Sequence, residues 1–191
     1  RLWLRIEDLE TPRVKPWAID QIIEDLEWLG LNWDLPAKEQ DSSYSQSAST
    51  GELYMLQSRR RDRYVEVIDQ LLERELVYPC TCTRGDIAAA GVPHESTLDG
   101  AIYPGTCQQR RSRDCEMLRQ QGISYCLRFR TDDTMVTWQD ELYGVQRCQI
   151  RSQLGDFVVW RSDDAAAYQL AVVVDDHDCD VNLVVRGNDL I

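Results

Sequence analysis

The opening stretch LWLRI alternates, with Leu2, Leu4 and Ile6 on one face and Trp3, Arg5 and Glu7 on the other. A period of two is the pattern of a half-buried strand. It runs out into an acidic loop, EDLETPR. The period then changes to 3.6: Ile19, Ile22, Ile23, Leu26 and Leu29 form a stripe that predicts an amphipathic helix. That helix starts near Pro16, since proline is tolerated in a first turn, and Gly30 supplies its stop. Residues 34–57 hold a polar, serine-rich stretch, DSSYSQSASTGE, which reads as a surface loop with no folding role. From about Ser58 a second helix carries Tyr64, Val67, Ile68, Leu71 and Leu72 inward. CLRFR, TMVTWQD and DFVVW are short β-branched or aromatic runs that predict strands. In AYQLAVVVDD three adjacent valines favour a strand by propensity, and NLVVRG reads as a strand as well. Helices and strands both occur, with no tandem repeat, so the fold class is α/β.

Composition narrows the function more than the fold. A chain of 191 residues is long enough to bury a sizeable core. Its net charge of −12 argues against a blanket attraction to nucleic acid, so any RNA contact has to come from local basic patches. Two candidates stand out, Arg59, Arg60, Arg61 and Arg63, then Arg110, Arg111 and Arg113, and each is equally readable as a solvated face. Lys15 and Lys38 are the only lysines; arginine, which supplies the rest of the positive charge, suits planar carboxylates and phosphates. No apolar run approaches the ~20 residues that cross a bilayer, which excludes a membrane role of that kind. The seven cysteines are an odd set and, apart from one pair, scattered singly, which fits a reducing cytoplasm better than a disulfide framework.

That pair opens the segment with the most chemistry, YPCTCTRGDIAAAGVPHESTLDGAIYPGTC. Cys80 and Cys82 flank one threonine, and Tyr103 precedes Cys107 by four residues. Zinc takes about four ligands in a tetrahedron and favours thiolates. A C-x-C pair on one turn and a Y-x3-C pair on a second, bent by Pro104 and Gly105, can close such a set. A neutral phenol is a poor ligand, but a zinc ion lowers the pKa of whatever it binds. His94 and Asp99 lie in the intervening loop as other candidates for the fourth position, and buried or reactive thiols are the competing explanation of the cysteines. A closed site of this kind is structural. Cys115, Cys126, Cys148 and Cys179 read as ordinary small core or surface residues.

Glu7 follows one predicted strand and Arg186 closes another. An ion pair is the plain reading of such residues. The sharper one is a ligand pocket, because α/β sheets bind ligands beyond the carboxyl ends of their strands. A carboxylate there can hold an ammonium group and an arginine can hold a carboxylate in bidentate fashion, a match to a zwitterionic acidic amino acid. Asp175, Asp176 and His177 form a further polar cluster, readable as an element terminus at the surface.

LRIEDLETPR, IIEDLEWLGLNWD, YPCTCTRGDI, IYPGTC, DFVVWRSDDAAAYQLAVVVDDH and VVRGNDLI together resemble the catalytic domain of the glutamyl-tRNA synthetases. The matches run from residue 1 to residue 191 in family order. They look most like the family's shortened paralogues, which activate glutamate with ATP and transfer it to the queuosine base in the anticodon loop of tRNA(Asp). The resemblance implies a class I synthetase fold with a Rossmann-type nucleotide-binding sheet and a small zinc-bearing insertion. It divides the chain into a first catalytic segment, 1–76, the insertion, 77–125, and the rest of the catalytic domain, 126–191. It makes AYQLAVVVDD a helix, against propensity. It implies that Glu7 binds the amino group of glutamate, that Arg186 with Tyr168 holds the side-chain carboxylate, and that Cys80, Cys82, Tyr103 and Cys107 hold zinc. Magnesium accompanies ATP as substrate, tRNA is the acceptor, and a cytoplasmic monomer is the family expectation. Tyr103, Val172 four residues after Tyr168, and RGNDLI point to the paralogue. The serine-rich insert around residues 41–52 is longer than the family pattern.

Two family signatures are missing: a HIGH-like motif near the first strand, and a KMSKS-like lysine loop, since no lysine follows Lys38. The resemblance therefore predicts a catalytic domain truncated at both ends, inactive by itself in forming an adenylate. An ordinary glutamyl-tRNA synthetase charging the acceptor end, and a non-catalytic zinc-containing binding module, are the competing functions.

Overall fold

A computed structural model describes residues 2–9, 14–15, 17–34, 44–46, 53–90 and 102–185. Two compact units divide the chain, Arg1–Glu66 and Val67–Ile191.

In the first unit, β1 (Arg5–Ile6) pairs in parallel with β3 (Leu53–Leu56), and β2 (Tyr44–Gln46) pairs with β3 antiparallel, giving the order β1-β3-β2. Parallel neighbours need a crossover, and α1 (Ala18–Trp28) lies in the connection between them. Ile6, Ile23, Tyr54 and Leu56 form the buried cluster, with Leu4, Ile19 and Trp33 packed against it. The predicted helical stripe is thus only partly inward: Ile23 is fully buried, while Ile22 and Leu29 are exposed. Gly30 ends α1 as expected, with Gly30 N–H donating to the Glu27 carbonyl and Leu31 N–H to the Leu26 carbonyl. The predicted Pro16 start lies outside the described residues.

The serine-rich region needs correction. Tyr44–Gln46 and Leu53–Leu56 are strands, and β3 is the centre of the sheet, with Tyr54, Met55 and Leu56 buried. The polar majority of residues 34–57 conceals a short apolar run, LYML, that a loop reading passes over. The other residues of the insert lie outside those described.

A short 3-10 turn (Gln57–Arg60) leads into α2 (Arg61–Glu73), which buries Tyr64 and Ile68 as the pattern predicts. In the second unit, β4 (Val77–Cys80), β5 (Cys126–Phe129) and β8 (Val158–Trp160) form an antiparallel sheet with β5 in the middle. Pro79 is tolerated because β4 is an edge strand. A hairpin of β6 (Met135–Asp140) and β7 (Gly144–Gln149) forms a separate two-stranded ribbon; its turn is closed by Asp140, whose carboxylate accepts the Leu142 and Tyr143 N–H groups. Short helices α3 (Arg84–Ala90), α4 (Asp114–Gln120) and α5 (Ile150–Gln153) fill the connections.

α6 (Tyr168–Asp178) settles the AYQLAVVVDD segment as a helix. Leu170, Ala171 and Val174 lie on one buried face, at helical spacing, while Val173 is exposed. Burial of that face outweighs the few tenths of a kcal/mol by which valine disfavours a helix. NLVVRG is corrected too. Residues 182–185 form no strand and find no ladder partner among the described residues, with Val185 89% exposed, and Arg186 onward lies outside them. No helix among the described residues is long and apolar enough to cross a membrane.

Candidate metal centre

The centre is built from two turns brought onto one sheet. Cys80 ends β4, and Cys82 follows in the turn before α3. Thr83 and Asp86 fix the start of α3 reciprocally: Asp86 accepts the Thr83 N–H and hydroxyl at 2.8 Å each, and Thr83 Oγ1 accepts the Asp86 N–H. The second turn runs from Tyr103 through Pro104 and Gly105, the latter at φ +82, to Cys107, as the sequence predicts. Tyr78, Cys80, Tyr103 and Cys107 are mutually packed and buried, with Cys82, Ile87 and Cys126 against them.

The sulfurs of Cys80, Cys82 and Cys107 all lie within 4.8 Å of one another. Cys82 Sγ is 3.6 Å from Cys107 Sγ, and Tyr103 Oη is 3.4 Å from Cys80 Sγ and 3.8 Å from Cys82 Sγ. A tetrahedral zinc with bonds of ~2.3 Å to sulfur and ~2.0 Å to oxygen has ligand–ligand edges of roughly 3.5–3.8 Å. The Cys82–Cys107, Tyr103–Cys80 and Tyr103–Cys82 separations have about that size, the three sulfurs stand within 4.8 Å of one another, and thiolates have the softness zinc favours. Tyr103 Oη also accepts the Cys107 N–H at 2.7 Å, which orients the phenol toward the sulfurs. His94 and Asp99, the other candidates for the fourth position, lie outside the described residues.

The electrostatic environment differs from donor to donor. The Cys80 thiol is held down to about 4, chiefly by a hydrogen bond from Cys126 and further by Tyr103, the Cys82 backbone and Arg128. Burial pushes Cys82 up to about 11. Tyr103 is raised by burial, then by its bond to Cys80, and Cys126 by its bond to Cys80 and then by burial. Of these groups, Cys80 is the one held below its ordinary value, while Cys82, Tyr103 and Cys126 are raised. A divalent cation would draw the remaining thiols into their charged forms.

The part of the centre that the sequence reading missed lies behind it. Asp156, buried at the entrance to β8, accepts the Tyr78 hydroxyl at 2.6 Å, the Thr131 N–H and hydroxyl at 2.8 Å each, and Gln108 Nε2 at 3.2 Å. It therefore ties β4, the residue after Cys107, and the end of β5 to one carboxylate. Gly155 comes just before, at φ +69, and a Cβ there would stand 2.7 Å from Ile102 Cγ2. Only a glycine lets the chain pass so close to the Tyr103 turn. Cys126 is also more than a small core residue, since it faces Cys80 across the β4–β5 ladder. Its signal was available only in the register, not in the spacing.

The other predicted residues are placed less decisively. Glu7 is exposed and its carboxylate pairs with Arg5 at 3.2 Å. The neighbouring Asp8 is buried and accepts the Ser58 N–H and hydroxyl, which fixes the end of β1 to the turn after β3. Tyr168 is the first residue of α6 and is 39% exposed. Arg186 lies outside the described residues. Of the basic patches, Arg59 donates to the Tyr44 carbonyl and Arg110 to Thr81 and the Pro79 carbonyl, so both serve the fold. Asp175, read as part of a surface terminus, is fully buried in α6.

A parallel β-α-β unit, an antiparallel sheet carrying a Cys3Tyr cluster and a helix after β8 define the class of the protein. The whole chain, residues 1–191, matches the family described as tRNA synthetases class I (E and Q), catalytic domain, and it belongs to that family. It is 43% identical over 202 residues to the glutamyl-Q tRNA(Asp) synthetase of Rhodopirellula baltica, a match covering 100% of this chain and 55% of that protein. The enzyme of the same name from Nitratidesulfovibrio vulgaris is 40% identical over 192 residues, covering 100% of this chain and 56% of that one. A crystal structure of a glutamate tRNA ligase from Elizabethkingia meningosepticum superposes with a TM-score of 0.67 at 24% identity, over 94% of this chain and 35% of that chain, and shows the shared fold. The chain spans about half the length of the curated relatives it matches.

Proposed function

We propose that the protein of which this chain forms the catalytic portion activates glutamate with ATP and transfers it to the queuosine base of tRNA(Asp). The observation that carries this reading is the 43% identity across the entire chain to a glutamyl-Q tRNA(Asp) synthetase, with relatives of the same name at 36% and above. The Cys3Tyr donor set supports the same subfamily. In the first step a carboxylate oxygen of glutamate attacks the α-phosphorus of ATP in line, and the bond to pyrophosphate breaks. In the second, a tRNA nucleophile attacks the activated carbonyl and AMP leaves. Neither step needs a side-chain nucleophile; catalysis comes from positioning and from charge stabilisation at the transferring phosphate. Magnesium accompanies the ATP.

Within this reading Glu7 receives the glutamate ammonium, exchanging its Arg5 partner for it, and Arg186 with Tyr168 receives the side-chain carboxylate. Cys80, Cys82, Tyr103 and Cys107 hold a zinc ion whose chemistry is structural: it joins the two turns and contributes folding free energy. The protein acts in the cytoplasm as a monomer.

The test is glutamate-dependent exchange of pyrophosphate into ATP by the full-length enzyme, with and without tRNA. Exchange without tRNA is the expected result. Exchange only with tRNA would make it an ordinary glutamyl-tRNA synthetase, and none under either condition would leave a zinc-containing binding module.

A further inference from the structure

β5 presents its residues to two faces in alternation. Leu127 and Phe129 turn one way; Cys126, Arg128 and Arg130 share the other, and that face looks onto the cysteine–tyrosine centre. Cys126 stands opposite Cys80. The Arg128 guanidinium lies 4.0 Å over the centroid of the Tyr103 ring, and that of Arg130 lies 4.7 Å over the ring of Tyr78. Arg130 pins the turn that follows Cys107 through backbone carbonyls, donating to Gln108 O at 2.6 Å and Arg110 O at 3.1 Å.

Arg128 is the unusual member of this row. It is 8% exposed, although a buried arginine normally needs a paired anion. No carboxylate meets it in an ion pair among the described residues. Its NH1 donates to the Asp156 carbonyl at 2.7 Å, and its Nε is buried without a hydrogen-bond partner there. The groups that hold its charge are therefore the face of Tyr103 and one carbonyl. A desolvated cation is drawn strongly to an aromatic face, and the attraction fixes the plane of the ring. With the ring plane set by Arg128 and the phenol oxygen set by the Cys107 N–H, Tyr103 has no freedom to swing its oxygen away from the sulfurs.

We propose that Arg128 is the positioning residue of the metal centre: it acts through Tyr103, committing the phenol oxygen to the fourth ligand position beside Cys80, Cys82 and Cys107. Asp156 is the anchor for this arrangement, since its carbonyl holds Arg128 while its carboxylate holds Tyr78, Thr131 and Gln108. The inference rests on the zinc reading above. It extends that reading to a residue that cannot itself ligate a metal.

The experiment uses the zinc-loaded full-length protein with 13Cζ-labelled tyrosine, comparing Arg128→Met and Arg128→Lys with the parent. Zinc affinity is measured by competition with a chromophoric chelator, and the Tyr103 carbon signal, assigned with Tyr103→Phe, reports whether its oxygen is on the metal. In Arg128→Met the affinity falls about tenfold or more, the range for groups that orient a ligand. The Tyr103 signal returns to that of a neutral phenol while the three thiolates still hold zinc. Arg128→Lys, which keeps the charge without the flat face, falls between the two. A purely structural arginine would lower the unfolding midpoint and leave the Tyr103 signal of the folded, zinc-loaded variant unmoved, and that result overturns the proposal. A parent protein that binds zinc with no change at Tyr103 overturns it as well. A parent that binds no zinc removes the metal reading and this inference together, a failure distinguishable from the first by stoichiometry alone.

Discussion

The candidate metal centre and the residues proposed for glutamate are built on opposite plans. The centre draws its donors from two turns, each local in sequence, and side chains of β5 and of Asp156, just before β8, hold them from behind. The residues proposed for glutamate are single side chains, Glu7 just after β1 and Tyr168 at the start of α6, with Arg186 outside the described residues. Glu7 and Tyr168 are exposed, whereas Cys80, Tyr103 and Cys107 are buried. A structural site must hold its donors together in the folded protein by itself. A substrate site has to leave its polar groups open to the ligand that completes them.

Mutation can widen or collapse that contrast. The largest effect belongs to the pocket: in the full-length enzyme Arg186→Ala should reduce kcat/KM for glutamate by about 100-fold or more, because a charged bidentate partner is lost, while leaving the unfolding midpoint in place. Near-normal glutamate kinetics would sink the assignment. Next comes Asp156→Ala, which strands the Tyr78 hydroxyl, both Thr131 donors and Gln108. It should destabilise the protein by about 3–5 kcal/mol in denaturant titration, against a smaller loss for Asp156→Asn. Gly155→Ala adds a Cβ at φ +69 against Ile102 and should cost about 1–3 kcal/mol; Ile102→Ala in the same chain relieves the contact and recovers only part of the loss, since the backbone strain stays.

The smallest effect is a pH dependence away from both sites. Hydrogen bonds from Ser112 hold the Glu75 carboxyl below its ordinary 4.5. A depressed folded pKa gives stability that is complete above the unfolded value and disappears as pH falls through the folded one. The difference in unfolding midpoint between the parent and Glu75→Gln should thus be largest near neutrality and vanish in acid. A difference that persisted in acid would mean that Glu75 acts through packing.

The two regions also differ in how they could be read from the chain. The C-x-C pair, the Y-x3-C pair and the Pro104–Gly105 bend announce a donor set because turn chemistry and ligand spacing are local properties. Asp156, Gly155 and Arg128 carry no such signal. Asp156 is 48 residues from the glutamine it binds and 78 from Tyr78, and only the pairing of β4, β5 and β8 brings them together. The same limit explains the misread LYML run, whose burial comes from neighbours on both sides in the sheet, and NLVVRG, where strand propensity finds no partner among the described residues. α6 shows resemblance succeeding where propensity fails.

The sequence by itself determined the α/β class, the family, the Gly30 end of α1 and the four candidate zinc donors, because periodicity, turn residues and motif spacing act over a few residues at a time. The tertiary structure decided what holds those donors in place: the register that sets Cys126 against Cys80, the guanidinium over Tyr103, and the buried carboxylate behind both. Those contacts join residues far apart in the chain, and their energies exist only once water has been excluded from the space between them.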